Sequence, residues 1–343
     1  MRKTTLTFIL LIAAVLCFAQ KSSLKKYYYW INRAELAICD SDFQRASDCY
    51  DKAFDQHRPF NGHVYYAFKV NTQFVHNNER ALRYFHILCQ SGDDIEWYRE
   101  DSVIYASIWP QMKMIADTTK TMVIPALEEA LENIRTSDQK VRRQMYEDDE
   151  TEYNTIRYTD SINLVLLKDL YHRYPEISDY TAGMTPALQA FYTHAAITLL
   201  FDPQDILYNE VLKGNVEASR YVNLEDNCRC EFLNPSFGIN TSSVYGTNVT
   251  YSFVIDSVGF VIQPDNVKEV NANRKKINLS ETWRDYAKKM AFLYMNDSEF
   301  SFYPIKYQYY MQDEALQKIA EIKDLIDKGV IKGNYYIIPQ ALR

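Results

Sequence analysis

From Leu24 onward, apolar residues return at intervals of three and four far more often than at two, the period of a helix that buries one face. Only 9 glycines and 10 prolines interrupt the 343 residues, so long loops are few and the pattern predicts a mainly α protein. Ser41 to Gln44 and Thr136 to Gln139 match the capping box that opens a helix. Thr185-Pro186 and Asp202-Pro203 set a capping oxygen before a first-turn proline, predicting helices over 186–201 and 203–213. Ser280 is expected to cap a helix running to about Met295, and residues 313–328 to form another, stopped by Gly329. The pattern changes after Asp226. Residues 243–263 are β-branched and aromatic, with Tyr251-Ser252-Phe253 and Gly259-Phe260-Val261-Ile262 separated by Asp256-Ser257, which predicts a small β-hairpin. A terminal strand is expected at Tyr335 to Ile338.

The first residues follow a different rule. Arg2 and Lys3 precede an apolar run from Leu6 to Phe18, short for a bilayer span, and Ala19 supplies the small residue of a cleavage site. Cleavage between Ala19 and Gln20 is the expectation, giving an exported protein (periplasmic, cell-surface or extracellular) with no retained transmembrane anchor. Five cysteines remain after it: Cys39, Cys49, Cys89, Cys228 and Cys230. The odd count leaves at least one thiol free or paired between chains. A bridge between Cys39 and Cys49 is compatible with the expected helical hairpin, and sequence leaves it open.

Between Leu24 and Ser91 lie four helical stretches in two pairs, whose second helices align as Ala46-x3-Tyr50-x2-Ala53 and Ala81-x3-Phe85-x2-Leu88, offset by 35 residues. With Trp30 and Ala34 near the large and small positions of a first helix, this stretch weakly resembles tetratricopeptide repeats, whose period is about 34 residues; an ordinary helical bundle is the alternative. The expected architecture is therefore helical hairpin repeats packed on a larger helical domain with a small β-hairpin. Its parts are a signal peptide at 1–19, a tetratricopeptide-like region at 20–100, a mostly helical domain at 101–300 and a C-terminal helix and tail at 301–343.

Charge and motifs narrow the function classes. The net charge is −7 with no block of Lys or Arg, so the basic footprint of a nucleic-acid binder is missing. The six histidines show no HExxH arrangement, Cys228 and Cys230 lack a second pair to complete a metal site, and there is no Walker loop, GxGxxG turn or GxSxG elbow. No cofactor or metal is expected. The 28 tyrosines, including Tyr27-Tyr28-Tyr29 beside Trp30, supply either core or an aromatic surface suited to peptide or glycan partners.

Residues 142–290 carry an ordered string of short motifs: Met145-Tyr146-Glu147-Asp148-Asp149, Asp160-x2-Asn163, Tyr174-Pro175, Gly183, Thr193-His194-Ala195, Tyr221-x2-Leu224-x-Asp226, Tyr245-Gly246-Thr247, and Pro264-Asp265-Asn266-Val267 leading to Arg274-Lys275. Over this stretch the chain resembles the family known as domain of unknown function 6624. It departs from the family pattern at Glu150, Thr193, Asn227 and Asn248, exchanges that bear on any polar site the family shares. The candidate polar site is Asp149, Asn163, His194, Asp226 and Tyr245. His194 reads either as a general base oriented by Asp149 or Asp226, or as a buried core histidine; Asp149 reads either as a ligand group or as part of a solvated acidic face.

Two function classes follow. The first is a non-enzymatic protein-interaction or scaffold module that takes a protein or peptide partner on its N-terminal helical region. The second is a hydrolase-like enzyme using His194 with Asp149 or Asp226.

Overall fold

The computed structural model of the chain describes residues 22–99, 103–147, 153–174, 203–233, 252–255, 258–264, 266–296 and 333–337, together with 101, 177–178, 181–182, 244–247, 300, 302, 324 and 327–329. The expected signal peptide, the helix over 186–201 and most of the tail over 301–343 lie outside the described residues. Among those described, helix predominates.

Helix α1 (22–39) buries Leu24, Tyr27, Ile31, Ala34 and Ile38, steps of three and four that line one face. At Ser41 the backbone turns left-handed, with φ +59°. The N–H groups of Ser41 and Asp42 bond back to the carbonyls of Ile38 and Ala37, which closes the helix. The next helix, α2 (Phe43–Phe54), is capped by Asp42, whose carboxylate accepts the Arg45 N–H at 3.2 Å. The cap thus sits one residue beyond the expected Ser41, because a left-handed residue ending one helix cannot also take the extended backbone that caps the next.

α3 (Asn61–Lys69) continues into a π-helical turn, Val70–Phe74. Within that turn the buried Asn71 donates to the Ala67 carbonyl and accepts from the Ser47 hydroxyl, both at 2.8 Å, so the wide turn is fastened to α2. α4 (Asn78–Gln90) starts at Asn77, which accepts the Arg80 N–H at 3.1 Å. Ala46, Tyr50 and Ala53 on α2 and Ala81, Phe85 and Leu88 on α4 are all fully buried.

After α5 (Trp109–Thr118), two long helices pack together, α6 (Pro125–Glu147) and α7 (Tyr153–Arg173). Arg142 on α6 binds Asp138 at 2.7 Å and Asp160 of α7 at 2.9 Å. Thr136 to Gln139 falls inside α6 and marks no helix start: the inward positions Leu127, Leu131 and Ile134 already belong to the same helix. α8 (Pro203–Lys213) begins at the proline that the Asp202-Pro203 signature singles out and ends at Gly214, φ +79°. It is followed by α9 (Ala218–Leu233).

Three short strands, β1 (Ser252–Ile255), β2 (Val258–Ile262) and β3 (Gly333–Ile337), pair antiparallel in that order. Phe253 lies opposite Phe260, which in turn lies opposite Tyr335. α10 (Val267–Lys276) and α11 (Trp283–Asn296) complete the described elements. The start of α11 is held by Thr282 and Asp285, each side chain accepting the other's backbone N–H at 3.3 and 2.8 Å. Ser280, the expected cap, instead donates its hydroxyl to the Lys25 carbonyl.

One hydrophobic core runs from α1–α4 through α9–α11. α1 is fastened at both ends of that span: the Tyr28 hydroxyl accepts the Ala218 N–H at 2.8 Å, and Asn32 donates to Asp285 at 3.3 Å. Cys39, Cys49 and Cys89 are buried free thiols, so the bridge that sequence left open between Cys39 and Cys49 is not formed. No described helix is long and apolar enough to cross a membrane.

Candidate functional site

The inner face of α1 delivers Glu35 into the core, where it meets Lys289 of α11. Both are almost wholly buried, and their side chains form an ion pair. Lys289 also donates to Glu281 at 2.6 Å. Glu281 pairs in turn with the buried Arg274 of α10, whose guanidinium lies 4.9 Å over the Tyr286 ring and donates through Nε to the Tyr245 carbonyl at 2.6 Å. From the other side comes His63 of α3. Its Nε2 lies 3.8 Å from Glu35 and 3.6 Å from Glu217, and Glu217 is also within 3.6 Å of Arg220.

The Tyr27 hydroxyl accepts the Phe60 N–H at 3.1 Å and lies 2.7 Å from His63 Nδ1. The two carboxylates beside Nε2 favour an N–H there, a tautomer in which Nδ1 accepts the Tyr27 hydroxyl. Burial pushes the Glu35 carboxyl up to about 7 even though Lys289 pulls it down. For Lys289, burial pulls the other way, yet Glu281 and Glu35 outweigh it and the amine is raised. Removing one member of such a set leaves an uncompensated charge in a low-dielectric interior, which is costly.

A small cavity opens on this cluster, lined by Tyr28, Asn32, Glu35, His63, Ser219 and Lys289 among others. The Asn32 Oδ1 is buried there without a hydrogen-bond partner. About 20 Å³ is reachable by the centre of a water molecule, room for a water and not for a substrate. The arrangement ties α1, α3, the segment at Glu217 and the stretch from Arg274 to Lys289 together.

The residues singled out from sequence fall into separate places. Asp226 and Tyr245 are brought together: the Asp226 carboxylate accepts the N–H groups of Val244, Tyr245 and Thr247 at 2.8, 3.0 and 2.7 Å, and the Thr247 hydroxyl at 2.7 Å. This cradle holds the Tyr-Gly-Thr turn. Gly246 within it has φ +75°, and a Cβ there would stand 2.7 Å from Trp283 and 2.9 Å from Val270, so both the angle and the space require glycine. The Tyr245 ring packs edge-on against Tyr221 at 5.8 Å, and burial pushes its phenol up to about 12. Asn163 belongs to the α6–α7 contact, accepting the Ser137 hydroxyl at 2.8 Å. Asp149 and His194 lie outside the described residues.

Sequence reasoning missed Glu35, His63, Glu281 and Lys289. A signal for Glu35 existed: it is the sole acidic residue between 22 and 39, and it stands beside the inward positions Ala34 and Ile38. Nothing local marked Lys289 as its partner, 254 positions away.

The outward face of α1 has a different character. Tyr29, 46% exposed, meets Trp30 edge-on at 5.1 Å. Arg33 lies 6.0 Å over the Tyr29 ring, and Lys52 of α2 lies 4.7 Å over the Trp30 ring.

No family model, no curated protein and no solved structure matches this chain.

Proposed function

We propose that this chain is an exported, non-enzymatic interaction module, released by cleavage between Ala19 and Gln20, whose N-terminal helical hairpins receive a protein or peptide partner. In this reading the hairpins over 20–100 are repeat-like, and residues 101–300, with the small β-hairpin, form the platform on which they pack. The coincidence of the buried triplets on α2 and α4 with caps at Asp42 and Asn77, again 35 positions apart, supports the repeat. Membership of the 6624 family is part of the proposal. Its support is that Tyr221, Asp226, Tyr245, Gly246, Thr247 and Arg274, taken from three separate motifs, pack as one unit.

The observation that carries the reading is the pre-ordered set of Tyr29, Trp30, Arg33 and Lys52 on the surface of α1 and α2. Aromatic and guanidinium groups held in place lose little entropy on binding, which is why they recur where binding energy concentrates. The buried cluster, with room for a water only, serves the platform.

A photo-crosslinking residue placed at position 29 of the exported protein, in its native cells, tests this. Recovery of a defined crosslinked protein, not recovered when the crosslinking residue stands at the distant, exposed position 99, is the expected result. A chain that folds and is exported but gives no specific crosslink overturns the reading.

A further inference from the structure

The outward face of α1 is basic on a chain that is acidic as a whole. Lys25, Lys26 and Arg33 are exposed on α1, and Arg45 and Lys52 on α2, whereas the net charge of the protein is −7. Helix α1 offers no compensating acid on that face, since Glu35, its one acidic residue, is turned inward to Lys289. The acids of α2 are mostly committed elsewhere. Asp48 pairs with Arg80 at 2.7 Å, and Asp51 pairs with Arg80 at 3.0 Å and with Arg83. Asp42 and Asp55 stand at the two ends of α2, and Asp40 is paired with Lys288.

Two of the cations meet at one point: the exposed Tyr29 and half-exposed Trp30 lie edge-on at 5.1 Å, with Arg33 over the first ring and Lys52 of α2 over the second. A long nucleic-acid polyanion would also meet the rest of a chain whose net charge is −7. The apolar side of α1 is sealed in the core, which leaves no apolar face to enter a bilayer.

We infer that this face docks an acidic peptide segment of the partner, its carboxylates pairing with Lys26, Arg33 and Lys52 while its apolar groups lie against Tyr29 and Trp30. The inference rests on the proposed function and names the chemistry of its partner. Charge complementarity of this kind speeds encounter and sets specificity, and salt screens it.

The test uses the mature full chain and a fluorescent Glu-rich peptide of about 12 residues, enough when extended to follow a helix of this length, read by anisotropy. Saturable binding is expected, weakened severalfold by raising salt from about 50 to 200 mM and absent for the same peptide with glutamine in place of glutamate. Arg33→Glu and Lys26→Glu should each weaken it about tenfold, and Lys52→Gln by a smaller factor, with unchanged circular dichroism. Reversal of the distant, exposed Arg99, Arg99→Glu, should change it less than twofold. Equal binding of the glutamine peptide, equal loss with Arg99→Glu, or tighter retention by anionic phosphatidylglycerol vesicles through Lys26 and Arg33 overturns the inference. If position 29 still crosslinks a protein while these charge reversals leave its capture intact, the acidic-segment inference fails and the interaction reading stands. Absence of any crosslink fails the interaction reading itself.

Discussion

Glu35 is where burial and charge pull hardest against each other. Its folded-state pKa, about 7, lies above the ordinary value of 4.5. Between those values the folded protein holds a proton that the unfolded chain has released, so stability falls as pH rises from about 4.5 to 7 and is level above that. Glutamine in its place mimics the protonated acid. Glu35→Gln should therefore match the parent near pH 5 and show a flatter decline toward pH 8, which urea midpoints measured across that range will reveal; parallel curves would exclude Glu35 as the titrating group. At Gly246 the argument is steric. Gly246→Ala forces a Cβ to 2.7 Å from Trp283 at φ +75°, and a cost of roughly 1–3 kcal/mol is expected, visible as a lowered thermal midpoint. The need for an unusual angle at Gly246 was legible from its place in Tyr245-Gly246-Thr247. The loop's dependence on Asp226 was not, since that carboxylate is 19 positions from Tyr245 and no local pattern announces a side chain that accepts backbone N–H groups at such range.

At the scale of elements, apolar spacing located helices well and their caps less well. The start of α8 at Pro203 was legible because proline acts through its own geometry. Ser41 and Ser280 misled by one and two residues, because a neighbouring Asp or Thr competed for the same N–H groups and tertiary contacts decided between them. Thr136 to Gln139 misled altogether: a capping pattern has no force inside a helix whose inward face already continues. The α6–α7 pair tests what holds two such helices together. Arg142 bridges Asp138 and Asp160, both fully buried. Arg142→Met should cost on the order of 3 kcal/mol by removing the guanidinium that bridges two buried acids. Adding Asp138→Asn and Asp160→Asn to Arg142→Met should restore a good part of that loss. Chemical denaturation of the single and triple variants checks both halves, and a triple variant no better than the single one would place the contribution of Arg142 in packing instead.

For the whole molecule, the contacts of α1 bear on how the chain divides. The sequence suggests a boundary near residue 100, where tetratricopeptide-like pairs give way to a different texture. Yet α1 supplies the anion that compensates Lys289, the hydroxyl that satisfies the Ala218 N–H and the amide that reaches Asp285. Long-range pairing of this sort leaves little trace in local periodicity: Glu35 stands out as a lone acid beside inward positions, but nothing near either residue points to the other. Removal of residues 20–100 would take Glu35 away from Lys289, whose pairing with Glu281 would remain, and would open the core that α9 and α11 share with α1. Residues 101–343 produced by themselves should then lack a cooperative thermal transition, whereas the full mature chain should show one. Adding residues 20–100 in trans should restore it, since the two pieces carry complementary halves of one buried ion network. A sharp transition in residues 101–343 alone would show that the platform folds without its first helix, and would return the boundary to where the apolar pattern puts it.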